Sequence, residues 1–242
     1  DIIVANRSMS VVYIQKKVND GGSGGFYAAM KEAFNRGYDW LWLMDDDGLP
    51  DRKELKELYN KSVEYHLQYA NALVLDIKDP THFSFGLSKG RLVYTVEDAK
   101  KKPVIEDVAN PFNGTFVSRE VIEKIGFIKK EMFIWGDEIE YFLRTKKNRF
   151  KIATVPSAVH LHPKSVNKNN YISFYNWKVP DVFGTRFICV HRNKGYIYSR
   201  YYGICGIIKY LIANTAIYVC NFQFKKWLLF IKYYFEGVFN YY

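Results

Sequence analysis

Three consecutive carboxylates, Asp45, Asp46 and Asp47, stand directly after the apolar run Trp40-Leu-Trp-Leu-Met44. Adjacent like charges repel, and a site that keeps them together gains from a cation among them. Oxygen donors of this kind suit a hard divalent ion. In extended chain, residues two apart point the same way, so Asp45 and Asp47 can converge on one ion while Asp46 faces elsewhere. A solvated acidic turn uses the same residue types, but the apolar run just before the acids favours the metal reading. A second acidic group, Asp137, Glu138 and Glu140, follows Trp135-Gly136. Asp137 and Glu138 fall at a helix start, where the helix dipole favours their charged forms. A carboxylate there can act as a general base or simply cap the helix. His160 and His162 alternate about Leu161, so extended chain puts both imidazoles on one side. Neutral imidazole with carboxylate suits Mn²⁺ or a similar ion, and a structural pair of histidines is the plainer meaning. Asn19-Asp-Gly-Gly-Ser-Gly-Gly25 offers backbone N–H groups to a diphosphate at the start of a helix. Its spacing fits neither the dinucleotide fingerprint nor a Walker loop, so a surface turn is the commoner reading.

The elements that must position these residues can be read from periodicity. Ile2–Ala5 and Val11–Gln15 read as strands, and Phe26–Arg36 reads as a helix closed by Gly37. Trp40–Met44 is a strand that delivers the acids to its carboxyl end, where open α/β sheets place ligands. Asp51 with Glu54 resembles a capping box, followed by an apolar face of Leu55, Leu58 and Tyr59. Ala72–Ile77 is a strand, His82–Gly86 with Arg91–Val96 a hairpin, and Glu97–Lys102 a polar loop. Arg119–Ile125 is a short helix, Gly136–Arg144 another with a Glu140/Arg144 pair four residues apart. Lys151–Val155 is a strand ending at Pro156, and Val159–Pro163 a turn. Strands alternating with helices predict an α/β fold with a mostly parallel sheet.

The chain has 242 residues, enough to bury a core without disulfides. Its cysteines, Cys189, Cys205 and Cys220, are odd in number and far apart, which reads as reduced thiols in a cytosolic compartment. No signal peptide is visible at the start. The net charge of +10 favours an anionic partner. That charge is dispersed among 25 acids with no recognisable RNA or DNA module, which argues against nucleic acid. Aromatic residues make up 18% of the chain and crowd its C-terminal part. Beyond residue 185, Lys225, Lys226 and Lys232 lie among Trp227, Phe230, Tyr233, Tyr234 and Phe235. Such a mixture suits a helical extension in a membrane interface, and equally a subdomain packed on itself or on a second subunit. Two units follow, 1–184 with the chemistry and 185–242 as the extension.

In order along the chain, Asn19-Asp-Gly-Gly-Ser-Gly-Gly-Phe26, Trp40-Leu-Trp-Leu-Met-Asp-Asp-Asp47, Phe112-Asn-Gly114, Trp135-Gly-Asp-Glu-Ile-Glu-Tyr141 and His160-Leu-His162 resemble the family-2 glycosyltransferases, nearest their bacterial galactofuranosyl- and rhamnosyltransferases. The resemblance implies a GT-A fold and an inverting hexosyltransferase. Its donor would be a nucleotide-diphosphate sugar of the UDP-galactofuranose or dTDP-rhamnose type. Its acceptor would be a glycan, lipid-linked, in cell-surface polysaccharide synthesis. It implies Mn²⁺ or Mg²⁺ held by Asp45, Asp47 and His162, with His160 next in line for the third place. It implies Glu138 as base, with Asp137 second; the family's usual residue there is Asp. Asn6, Ser8, Gly22, Ser23, Gly24, Gly25, Asp46 and Trp135 would lie along the bound substrates. The enzyme would sit peripherally at the inner face of a bacterial membrane, with a homo-oligomer an open option. The resemblance begins at what would be the family's second strand, which leaves a non-catalytic nucleotide-sugar-binding or scaffolding module as the alternative.

Overall fold

The structure is a computed structural model that describes residues 11–90, 92–164 and 171–242. Helix α1 (Gly21–Asn35) leads into β1 (Trp40–Met44) and the two-residue β2 (Leu49–Pro50). Then come α2 (Glu54–Tyr65), β3 (Tyr69–Asp76), a small hairpin of β4 (Ser88–Lys89) and β5 (Leu92–Val93), and α3 (Val96–Lys100). After β6 (Ile105–Glu106) follow β7 (Asn113–Ser118), α4 (Arg119–Ile125), α5 (Asp137–Lys147) and β8 (Ile152–His162). The C-terminal part is a hairpin, β9 (Tyr171–Phe174) and β10 (Trp177–Pro180), then α6 (Gly184–Ile197), α7 (Gly203–Cys220) and α8 (Phe224–Val238).

The main sheet has the order β1-β7-β3-β8-β2, with β6 also on β8. It is mixed rather than mostly parallel as expected. The strands β1, β3 and β8 run the same way, but β7 is inserted between β1 and β3 in the opposite sense, leaving β3–β8 as the parallel pair among the described strands. Sequence periodicity identifies a strand but not its neighbour, so β7 could not be oriented from its own residues. In β1, Leu41 and Leu43 pack on one face with Met30 of α1, Val121 of α4 and Tyr141 of α5. Trp40 and Trp42 take the other face, with Leu58 of α2 and with Phe116, on which the Trp40 ring stacks at 4.5 Å. This period-two alternation places helices on both sides. All eight residues of β3 are buried, as expected of a strand covered on both faces.

Several local expectations are corrected. Val11–Gln15 forms no strand. Helix α1 begins inside the glycine run rather than at Phe26. Glycine is a poor helix former, but at the first position little else fits: Gly21 has a φ of +74° and a Cβ there would lie 2.0 Å from the Phe133 carbonyl oxygen, while Gly22 and Gly25 face open space. The polar stretch after Val96 is helical, with the Thr95 hydroxyl accepting from Asp98 N–H. The segment 152–162 is one long strand. Its register against β3 jumps from Ala72↔Val155 to Leu73↔Val159, and Pro156 falls in that bulge, where its missing N–H costs no ladder bond. His160 and His162 therefore stand opposite Val74 and Asp76 at the strand's carboxyl end, not in a turn.

The C-terminal elements form their own apolar cluster. Ile172 and Val179 of the β9–β10 hairpin pack with Phe187, Ile217, Tyr218, Phe230 and Tyr234 of the helices. Helices α6 and α8 meet backbone to backbone. A Cβ on Gly195 would lie 2.1 Å from the Tyr234 carbonyl oxygen, and one on Gly237 1.8 Å from that of Arg192, so only glycine permits this crossing.

Candidate active site

The acidic triplet occupies the turn that leaves β1, closed by a hydrogen bond from Gly48 N–H to the Asp45 carbonyl. The turn meets the end of β8. Ligand atoms of Asp45, Asp47 and His162 all lie within 4.8 Å of one another. His162 Nε2 is 2.9 Å from Asp47 Oδ1, while its Nδ1 lies 2.7 Å from the Pro163 carbonyl. A carbonyl only accepts, so Nδ1 donates to Pro163 and the ring is turned with Nε2 facing the carboxylates. Burial raises the Asp45 carboxyl above its ordinary value, the Asp47 charge adds to this, and His162 opposes it. Two carboxylate oxygens and an imidazole nitrogen with this spacing fit a divalent ion, whose charge would relieve that repulsion.

His160 takes a different partner. Its ring is fully buried, with Nδ1 3.1 Å from both carboxylate oxygens of Glu54, and Trp42 Nε1–H donates to Glu54 at 3.3 Å. Its Nε2 points at Gly48, where a Cβ would come within 2.2 Å. His160 thus packs behind the acidic turn rather than joining the cluster. Glu54 is corrected with it. Its side chain does not cap α2; the buried stripe of that helix is Glu54, Leu58 and Ser62, while Leu55 and Tyr59 are exposed. Burial raises the Glu54 carboxyl, and its contacts with His160 and Trp42 counter this. An acid four residues before a buried leucine was the available signal.

The second acidic group opens α5. Phe133, Trp135 and Gly136 all have positive φ, of 66°, 62° and 108°. That backbone turns Asp137 and Glu138 toward the triplet. Glu138 Oε2 accepts from Gly136 N–H at 3.0 Å. Burial raises the Glu138 carboxyl above the usual carboxylate range, and the neighbouring Asp137 raises it further. Asp137 is buried and its charge reaches Asp45. Glu140 is also buried, but on the far side of the helix, where it pairs with Arg144 at 3.0 Å and accepts from Tyr201 Oη–H at 2.7 Å.

A cavity of about 730 Å³ joins these parts. Asp45, Asp46, Asp47 and His162 line one side, Trp135, Asp137 and Glu138 another, and Gly22 with Phe26 of α1 a third. Of the other expected substrate-side residues, Ser23 and Gly24 are buried beneath this wall and Gly25 is exposed. Asn6 and Ser8 lie outside the described residues. Phe112 and Asn113 also line the cavity, held by a buried network in which Thr115 Oγ1–H donates to Asn71 Oδ1 and accepts from Phe112 N–H.

Comparison with known proteins agrees with this geometry. The model of the Glycosyl transferase family 2 matches residues 3–126, just over half of the chain. The chain is 31% identical over 205 residues to galactofuranosyltransferase GlfT1 of Mycobacterium tuberculosis, covering 82% of this chain and 67% of that protein. It is 27% identical over 208 residues to galactofuranosyltransferase GlfT1 of Mycolicibacterium smegmatis, covering 82% and 68%. By the family match over half of its length and the 31% identity, the chain, with its acidic turn, histidine and α5 carboxylates around one cavity, belongs to glycosyltransferase family 2, in its galactofuranosyltransferase branch.

Proposed function

We propose that this glycosyltransferase moves galactofuranose, with inversion, from UDP-galactofuranose to a lipid-linked glycan in cell-surface polysaccharide synthesis. The observation that carries the reading is the single cavity with Asp45, Asp47 and His162 on one wall and Glu138 on another. Asp45, Asp47 and His162 would hold Mn²⁺ or Mg²⁺, which when bound supplies charge stabilisation to a departing diphosphate. The Nδ1–H bond from His162 to the Pro163 carbonyl keeps its ring turned for that role. Glu138 removes the proton from the acceptor hydroxyl, and Asp137 is the second choice for this step. The freed oxygen attacks the anomeric carbon from the face opposite the nucleotide, through an oxocarbenium-like transition state. A carboxyl with a raised pKa is a stronger base once ionised, which suits this proton transfer. The half-buried Trp135, with the Arg186 guanidinium 5.5 Å from its ring, gives the cavity a flat apolar wall for a sugar.

The C-terminal helices fit a lipid-linked acceptor. Ile204, Ile208 and Ile212 of α7 form an exposed apolar row, and Phe222, Leu228 and Leu229 are exposed near and on α8. Lys209, Lys225 and Lys232 stand among them. The helical run Gly184–Cys220 is long and apolar enough to cross a membrane by length and composition. It also buries His191, Asn193 and Asn214, so we read it as lying against anionic headgroups.

The deciding experiment is calorimetric titration of UDP and, separately, dTDP into the full chain, with and without Mn²⁺, beside Asp45→Asn/Asp47→Asn. Mn²⁺-dependent binding of UDP that the variant loses is the expected result. Preference for dTDP moves the donor to the rhamnose class, and binding without transfer to any acceptor supports the non-catalytic module. Flotation of the full chain with phosphatidylglycerol vesicles tests the membrane reading, and equal recovery with neutral vesicles speaks against it.

A further inference from the structure

The loop that aims the acids of α5 is held from outside the α/β unit. Asn193, on α6 of the C-terminal extension, is fully buried. Its Nδ2 lies 2.9 Å from the Met132 carbonyl oxygen and 3.0 Å from those of Ile134 and Trp135. Carbonyl oxygens only accept, so the surroundings dictate which way the amide faces. Two N–H groups serve three acceptors, and the amide oxygen has no partner. A buried polar atom left unpaired is a cost that the three donated bonds must outweigh. The carbonyls belong to a segment in which Phe133, Trp135 and Gly136 have positive φ, a conformation that persists only when its surroundings over-determine it.

The same segment touches the rest of the cavity. The Phe133 carbonyl accepts from Ser23 N–H at 3.2 Å, tying the loop to the first turn of α1. Gly136 N–H donates to Glu138, and the Gly136 carbonyl receives Glu140 N–H at 2.8 Å. Lys194, the next residue on α6, is half-buried, and the Glu138 charge opposes the fall in its pKa that burial causes. Asn193 therefore stands behind Trp135, Glu138 and the glycine-rich helix start without lining the cavity itself.

We infer that Asn193 is a positioning residue for sugar transfer: beside the Arg192 bond to the Glu131 carbonyl and the packing of Ile197 on Met132, its amide is the grip by which the C-terminal extension sets the loop that aims Glu138 and Trp135 into the cavity. The inference rests on the transferase reading given above. A displacement of about 1 Å at a reacting group can cost about 100-fold in rate, so loss of this support falls on the chemical step more than on donor binding.

The test compares the full chain with Asn193→Ala, which removes the donors, and Asn193→Ser, a milder change that keeps one hydroxyl and preserves a folded protein if alanine does not. Hydrogen exchange should rise more than about tenfold at the Ser23, Ile134 and Glu140 amides in the alanine variant, and less in the serine variant, while peptides from α7 and α8 are unchanged. With UDP-galactofuranose and a galactofuranosyl oligosaccharide acceptor, kcat should fall about 10- to 100-fold while donor KM stays within about threefold. Unchanged exchange over 132–140 in a folded variant overturns the inference. So does a loosened loop with normal kcat, or a loss confined to donor KM. A wild-type chain that transfers from neither UDP-galactofuranose nor dTDP-rhamnose defeats the functional reading instead, and the exchange data then decide the role of Asn193 by themselves.

Discussion

Two acidic clusters face one cavity and are built in opposite ways. The Asp45–Asp47 turn lies open: the Asp47 side chain is 57% exposed, and the turn is closed by one backbone bond. Asp137 is 5% exposed, on a helix whose entry loop is fastened from α1, from its own Glu138 and from α6. The difference suits the roles proposed for the two clusters. In the proposed reaction an ion and a diphosphate would come from water and leave with product, so the residues that would hold them must be reachable. A proton acceptor works better partly desolvated, where burial lifts its basicity and a fixed backbone sets its aim. One cluster is therefore cheap to assemble, the other held in a strained conformation by distant parts of the chain.

The largest effect that could break this contrast belongs to the buried cluster. Glu138→Gln should lower kcat by about 10²–10⁴-fold while UDP binding persists. The same variant should melt higher at neutral pH. An acid whose folded pKa is raised stabilises the protein below its ordinary value, here 4.5, and that stability is lost as pH rises toward the raised value. Removing the ionisable group removes the loss. If thermal melts of Glu138→Gln at pH 7.5 match or fall below wild type, the acid is not desolvated as described.

The open cluster should respond through ligand affinity rather than fold. His162→Ala, or chelation of the metal, should weaken Mn²⁺-dependent UDP binding by at least about 10–100-fold, the loss typical when even a supporting partner is removed. Circular dichroism should stay unchanged. A His162→Ala protein that binds UDP normally in Mn²⁺ would remove the histidine from the proposed ligand set.

His160 sharpens the comparison because it lies two residues from His162 yet serves stability. Glu54→Ala leaves its buried imidazole without that hydrogen-bond partner and should cost about 1–3 kcal/mol. Glu54→Gln, which can still bond Nδ1, should cost far less. Urea denaturation of the two variants separates these outcomes, and equal midpoints would mean that the pair carries little of the turn's support.

Smallest is a pH effect in the extension. Burial among aromatic rings depresses the His191 imidazole from 6.5 to about 3, and its Nε2 lies 2.8 Å from Tyr218 Oη. The unfolded chain binds that proton first, so stability present above pH 6.5 is lost as pH falls below it, by at most about 1.4 kcal/mol per pH unit. His191→Gln should flatten the denaturation midpoint between pH 7 and pH 5.5. A slope that survives the substitution assigns the effect to other groups.

The acidic turn, Trp135-Gly136-Asp137-Glu138 and His162 could be picked from the chain because their chemistry is written in adjacent letters. Even the two histidines could be named, although their spacing did not tell them apart and only the resemblance ranked His162 ahead of His160. What separated them was Glu54, 106 positions away, whose place on a helix resembled a cap. Asn193 carried no signal at all, since an asparagine in an aromatic helix gains meaning only from the three carbonyls opposite it. The reversed strand β7 and the helical glycine run share that cause. Pairing partners and close backbone approaches are set by distant residues, while local periodicity reports only a segment's own preference.

The glycine contact between α6 and α8 bears on how the chain can be shortened. Gly195 and Gly237 let two backbones touch where any larger residue would force them apart. A recombinant form ending before residue 224 would strip that partner from α6 and leave a bare channel along Gly195, two residues from the amide that grips the 132–136 loop. Trimming the greasy C-terminus to improve solubility would therefore loosen the acid-lined cavity from behind, and the workable boundary for a minimal enzyme lies beyond Val238.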